Sequence, residues 1–138
     1  ELIMADAVTS TTIVDSDRLA VIQLTNTSDG TGESAVTKID VSGLNASSNG
    51  QVCTGVRLAK ICYSTFGMSV KLLWDATTDT ICWDLNANYA DSEDFTEFGG
   101  LANTSGSGKT GDINLTTTGA GSGDSYVIVL TLIKNYGS

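Results

Sequence analysis

The amino-acid sequence predicts an all-β domain, an antiparallel β-sandwich of about eight strands with a jelly-roll-like arrangement. Apolar and polar residues alternate in short runs, as they do in half-buried strands. Clusters of Gly, Asn, Asp and Ser separate these runs, and the chain contains no proline. No helical period continues for more than one turn. The 138 residues fit a single domain, 1–138, in which residues 1–7 are expected to form an extended N-terminal arm.

The first half of the chain contains four predicted strands. Residues 8–14 are rich in threonine, and residues 18–25 are apolar enough for a sandwich interior. The Asp29-Gly30 dipeptide marks a hairpin turn before a third strand over residues 34–41. A loop of Gly, Ser and Asn then leads to a fourth strand over residues 56–64.

The second half begins with a predicted hairpin, residues 69–74 and 80–85. The spacing places Trp74 in phase with Val70 and Leu72, and Trp83 in phase with Ile81 and Leu85, so both tryptophans are predicted to be core residues. Residues 86–101 have no strand pattern and could hold one helical turn. Two further strands are predicted over residues 112–118 and 125–136, and the second is apolar enough to lie centrally in a sheet.

The chain is strongly acidic, with a net charge of −9 and seven scattered basic residues. Such a chain repels phosphate backbones, so we expect no nucleic-acid partner. Its charge favours solubility and leaves open a basic partner or a divalent cation. The longest apolar stretch, residues 126–130, is far too short to span a bilayer, so no membrane association is expected.

Three cysteines, Cys53, Cys62 and Cys82, admit several interpretations. They could be buried reduced thiols, two of them could form a Cys62–Cys82 bridge, or one could bridge to another subunit of an assembly. A zinc site is not expected, because the chain supplies no histidine as a further ligand.

The same absence of histidine removes the commonest general base, and we predict no catalytic residues and no enzyme activity. Residues 105–110, SGSGKT, end like a phosphate-binding loop. A glycine and a predicted strand follow them where the motif needs a helix, so we interpret them as a flexible glycine loop. We therefore expect no cofactor.

Calcium is the one metal for which the sequence offers candidates, namely Asp91, Glu93, Asp94 and Glu97. Calcium takes several oxygen ligands, often from acidic loops, although this spacing is not that of an EF-hand. The alternative is a solvated acidic loop.

Aromatic and apolar side chains in the same irregular stretch are candidates for a subunit interface, for core positions or for stacking on sugars. The interface candidates are Tyr89, Phe95, Phe98 and Leu101. The apolar C-terminal strand is a second candidate contact surface.

Six stretches of the chain resemble small virion structural proteins of the head decoration or cement type from marine tailed bacteriophages. They are MADAVTSTTIVDSDR from Met4, TNTSDGTGESAVTKIDVSGLN from Thr25, YSTFGMSVKLLWDATTD from Tyr63, DFTEFGGL from Asp94, KTGDINLTTTG from Lys109 and SGDSYVIVLTLIKNYG from Ser122.

The resemblance implies a component of the phage particle, made in the cytoplasm of a host bacterium, and we expect it on the outer surface of the head. It further implies binding to the major capsid protein and to copies of itself, as a trimer or dimer. The alternative is a tail-associated β-sandwich module that binds a carbohydrate or a receptor.

Overall fold

The computed structural model describes residues 7–136. Residues 1–6 of the predicted N-terminal arm lie outside them, and Ala7 begins the first strand. Strands predominate. In chain order they are β1 (Ala7–Asp15), β2 (Leu19–Asp29), β3 (Val36–Ile39), β4 (Cys53–Phe66), β5 (Ser69–Trp74), β6 (Thr80–Leu85), β7 (Ala90–Asp94), β8 (Ile113–Thr118) and β9 (Ser122–Tyr136). Two 3-10 helices, Val41–Gly43 and Thr96–Phe98, are the only helical segments in this part of the chain.

The strands form two antiparallel sheets, which confirms the predicted β-sandwich. The large sheet has the order β1-β2-β9-β4-β7 and the small sheet the order β3-β8-β5-β6. After β1, successive strands from the N-terminal end pair with successive strands from the C-terminal end, β2 with β9, β3 with β8, β4 with β7 and β5 with β6. This nested pairing is the jelly-roll arrangement, and it places β9 at the centre of the large sheet.

The core lies between the two sheets and follows the period of two in each strand. In β9, alternate side chains from Tyr126 to Lys134 are buried. Every inward position of β2 is buried in the same way, and the small sheet contributes Trp74, as predicted, from β5. Removal of this apolar surface from water is the main term that stabilises the sandwich.

The predicted face of β6 is wrong at Ile81, whose side chain is 50% exposed. Leu72 pairs with Trp83 but Leu73 pairs with Ile81, so β6 carries one extra residue, Cys82, at a bulge. A bulge reverses the alternation of side chains beyond it. Cys82 and Leu85 are therefore buried, and Trp83 is half-buried against the core.

The irregular stretch predicted for residues 86–101 contains β7, which the sequence did not predict. Its residues ADSED have no apolar alternation, and the strand is held by antiparallel pairing with β4, from Lys60–Asp94 to Ser64–Ala90. The single helical turn expected in this stretch corresponds to the 3-10 helix Thr96–Phe98.

Candidate functional site

Strand β7 forms an acidic edge of the large sheet, and two aromatic side chains flank it. Tyr89 precedes the strand and is 50% exposed, and Phe98 follows it and is 63% exposed. The backbone carbonyl of Tyr89 accepts a hydrogen bond from the Thr65 amide, at 2.9 Å, which fixes this residue to the end of β4. The edge therefore presents exposed rings on either side of the carboxylates of Asp91 and Glu93.

Phe95 is a core residue and not an interface residue, because only 7% of its surface is exposed. Its ring lies edge-on to Trp83, with centroids 5.0 Å apart, and 6.2 Å from the ring of Phe98. Leu101 is half-buried against the same core and forms a bridge with Leu58. Of the four interface candidates, Tyr89 and Phe98 are therefore the exposed ones, and the buried Phe95 supports them.

The carboxylate of Asp94 is engaged within the chain. It accepts hydrogen bonds from the hydroxyl of Thr96, at 2.5 Å, and from its backbone amide, at 2.8 Å, and it lies 3.8 Å from the ammonium group of Lys60. The two hydrogen bonds, and less strongly the charge of Lys60, hold the pKa of Asp94 below its usual value. Asp94 is therefore ionised down to lower pH than an ordinary aspartate.

The four calcium candidates do not converge on one point. Within a strand, adjacent side chains point to opposite faces, so Asp91 and Glu93 lie on one face of β7 and Asp94 on the other. Glu97 follows in the 3-10 helix. Across residues 7–136, no group of three or more His, Cys, Asp or Glu side chains is placed to hold a metal ion.

Beside β7, the outer surface of the large sheet contains a shallow groove of about 470 Å³. Its walls come from β4, β7 and β9 and consist of Cys62, Tyr63, Ser64, Ala90, Asp91, Ser92, Val127 and Val129. The ring of Tyr63 lies 6.3 Å from that of Tyr89. Most of the lining is apolar or hydroxylic, and charge enters only at Asp91.

A second cleft, of about 400 Å³, lies where the starts of β4 and β8 meet the end of β9. Lys109 and Thr110 of the SGSGKT segment line it, together with Asn103 and Tyr136. Three of its polar groups already have partners. The Thr110 hydroxyl donates to Asp75, the Asn103 side-chain oxygen accepts from Ser105, and the Tyr136 hydroxyl donates to the Asp17 carbonyl.

The SGSGKT segment itself forms a turn that leads into β8. It supplies no helix N-terminus, which phosphate binding by this motif requires.

The three cysteines have different environments, and all three are free. Cys53 and Cys82 are buried, which confirms the buried-thiol interpretation for these two, whereas Cys62 lies exposed on the outer face of β4. Cys62 belongs to the large sheet and Cys82 to the small one, so the Cys62–Cys82 bridge is not formed. Burial raises the pKa of Cys82 to about 12.

Phe66 is an exposed aromatic residue that the sequence did not mark as a candidate. It ends β4 and is 63% exposed. The available signal was its phase, since Phe66 is four residues after Cys62 and two after Ser64 and therefore shares their outward face.

No helix in the described part of the chain is long and apolar enough to cross a membrane. Comparisons of the chain with protein-family models, with curated proteins and with solved structures find no match.

Proposed function

We propose that the chain is a virion structural protein of a tailed bacteriophage, a decoration or cement protein that binds the outer lattice of the head and stabilises it. The major capsid protein and further copies of this chain are its proposed partners.

Two properties of the whole chain support this proposal. Double-sheet jelly rolls occur among viral capsid domains, as well as among lectins and cupins. A net charge of −9 favours solubility at high local concentration on a particle surface.

The observation that carries the proposal is the pair of exposed rings, Tyr89 and Phe98, beside the acidic strand β7. Aromatic residues are enriched at protein interfaces, where they supply large contact areas. The carboxylates of Asp91 and Glu93 complement a basic partner surface and would speed its encounter with this edge. Because Phe95 and the pairing with β4 hold the edge in place, the rings are presented on a preorganised support.

The test is co-sedimentation of the purified chain with phage heads that lack it. We expect wild-type protein to bind and to raise the temperature at which heads disrupt. Phe98→Ser and Tyr89→Ser should each weaken binding about tenfold or more, as truncation of an anchor does. Ile81→Ser is the matched control, because Ile81 is as exposed as Tyr89 but lies on β6, at the edge of the small sheet.

Failure of wild-type protein to bind heads would overturn the proposal. Equal loss of binding in all three variants would show that the acidic edge is not the contact. Point substitutions are preferable to deletion of residues 86–101, since that deletion would remove both β7 and the buried Phe95.

A carbohydrate- or receptor-binding role on a phage tail is the second candidate, and the observation that favours it is the 50% exposed ring of Tyr89, which lies 6.3 Å from the ring of the buried Tyr63 at the groove. Exposed aromatic rings stack on sugars, and lectins use the same architecture. Binding to a glycan array that Tyr89→Ser abolishes, without binding to heads, would select this role.

A further inference from the structure

The outward face of the large sheet carries three consecutive rows of side chains without a charge, and we call this surface the uncharged face. The strand registers place these side chains next to one another across the sheet. The rows are Thr27, Ser125 and Phe66; Thr9, Thr25, Val127, Ser64 and Ala90; and Thr11, Gln23, Val129, Cys62 and Ser92.

Burial confirms that this face points to solvent. In β9 the alternate residues are buried, and Val127 between them is 42% exposed. Cys62 and Ser64 of β4 are exposed in the same phase. The next row of the sheet contains Lys60 and Asp94, which form an ion pair at 3.8 Å. Thirteen adjacent surface positions without charge therefore occur on a chain that carries 16 acidic and seven basic residues.

Eight of the thirteen side chains are Thr, Ser or Gln, which a solvated sheet face also carries. The face differs from an ordinary surface in its lack of charge beside an exposed aromatic ring, a combination typical of the centre of a protein interface. We propose that the uncharged face binds a second copy of this chain, sheet against sheet, to form a symmetric dimer.

The charge of the chain selects this face for contact between two copies. Each copy carries a net charge of −9, so identical chains repel one another except where charge is absent. Dimer formation by pairing of edge strands is disfavoured at both edges of the large sheet. The β7 edge carries carboxylates, including Asp91 and Glu93, and β1 has a bulge between Thr12 and Val14.

The area fits a weak, reversible contact. The thirteen positions, spaced about 4.8 Å apart between strands and about 6.8 Å apart along them, cover roughly 430 Å² per copy. Two copies would bury about 850 Å², which is below the size of stable interfaces and within the range of transient ones. We therefore expect a dimer of low affinity that forms at high protein concentration.

Phe66 supplies the anchor of this contact. It projects from the end of the uncharged face and is 63% exposed. The groove on the same face, lined by Cys62, Val127 and Val129 among others, has a volume of about 470 Å³. In a two-fold arrangement, the ring of Phe66 in each copy packs into the groove of the other.

Sedimentation velocity of the purified full-length chain over a wide concentration range tests the dimer. We expect a reversible monomer–dimer equilibrium in the wild type, and a dissociation constant raised about tenfold or more by Phe66→Ser or Val127→Lys. Phe98→Ser is the matched control, because Phe98 is equally exposed but lies off this face. Ile81→Lys controls for the added positive charge, which lowers general repulsion and cannot by itself separate the copies.

The exposed thiol of Cys62 gives a second readout at the centre of the contact. Its rate of reaction with a thiol reagent should fall as the wild-type concentration rises, and should stay constant in Val127→Lys. Cys53 and Cys82 are buried and their pKa values are raised, so they contribute little to the signal.

Three outcomes would overturn the dimer: a wild-type monomer at all concentrations, a dimer unaffected by Phe66→Ser and Val127→Lys, or a dimer weakened equally by Phe98→Ser. Unfolding midpoints measured for each variant separate lost contact from lost folding. The experiment uses no phage particles, so its result is independent of whether the chain binds heads.

Discussion

At the scale of single residues, Lys134 shows how a charge is held inside this sandwich. It occupies an inward position of β9, and its side chain is fully buried. Its ammonium group donates to a carboxylate oxygen of Asp15 at 2.6 Å and to the backbone carbonyls of Ser16 and Asn45 at 2.8 Å each. Burial lowers the pKa of Lys134, but the hydrogen bond and charge of Asp15, together with Tyr136, outweigh it and raise the pKa above its usual value.

Substitution Lys134→Met should destabilise the fold by about 3 kcal/mol or more, because it removes the buried donor shared by a carboxylate oxygen of Asp15 and two backbone carbonyls. Denaturant unfolding measures this loss. Lys71→Met is the control, since Lys71 is exposed on β5 and its removal should change stability by less than about 0.5 kcal/mol. Equal effects of the two substitutions would contradict a structural role for the buried ion pair.

A second buried ion pair joins Glu33, in the connection between β2 and β3, to Lys38 of β3. Glu33 accepts hydrogen bonds from the side-chain amide of Asn26, at 2.7 Å, and from the hydroxyl of Tyr126, at 2.6 Å. This network joins the connection to both neighbouring strands of the large sheet. The carboxylate of Glu33 therefore has three partners, which lowers the penalty for burying its charge.

At the scale of elements, the approach of β8 to β4 depends on Gly111. The residue has a φ of 88°, and a Cβ atom there would lie 2.3 Å from the carbonyl oxygen of Thr54. Glycine, which has no Cβ atom, is thus required here both for the backbone conformation and for the close contact between the two segments. Gly119, at the end of β8, has a φ of 75° but no atom within 4 Å of an added Cβ.

These two glycines provide a matched pair. We expect Gly119→Ala to cost about 1 kcal/mol for the unfavourable backbone conformation alone. Gly111→Ala should cost at least about 3 kcal/mol, because overpacking against rigid backbone adds to the same conformational cost. Urea unfolding of both variants gives the difference, and similar values would show that Thr54 moves aside at little cost.

At the scale of the whole molecule, two buried groups with raised pKa values make the stability of the fold decrease at alkaline pH. Burial raises the pKa of Cys82 from 9.0 to about 12, and the pKa of Lys134 is raised above 10.5. In both cases the unfolded chain loses its proton at lower pH than the folded chain. The stability that these groups contribute is complete below the unfolded pKa and is lost as pH rises towards the folded pKa.

For Cys82 the effect is about 1.4 kcal/mol per pH unit above pH 9, or about 2–3 kcal/mol by about pH 11. Cys82→Ala removes this dependence. It should lower stability at neutral pH, because it leaves a small cavity, but its stability should fall less steeply above pH 9. Denaturant unfolding from pH 7 to about pH 11 tests the difference, and parallel curves for the two proteins would contradict it.

Local pattern in the sequence determined much of this fold. The period of two, with β-branched residues and glycine turns between runs, was sufficient for the fold class, for the exact bounds of β5 and β6 and for the central position of β9. These properties depend on the side chains of neighbouring residues, which the sequence contains directly. The core position of Trp74 follows from the same period.

Only the tertiary structure decided what depends on pairing between distant segments. Strand β7 has no apolar alternation and exists because β4 pairs with it, and the bulge at Cys82 breaks the alternation of β6, so that local phase places Ile81 on the wrong face. The uncharged face likewise cannot be predicted from the order of residues along the chain. Its rows join residues such as Thr25 and Val127, about a hundred positions apart, which meet only when the two ends of the chain pair in one sheet.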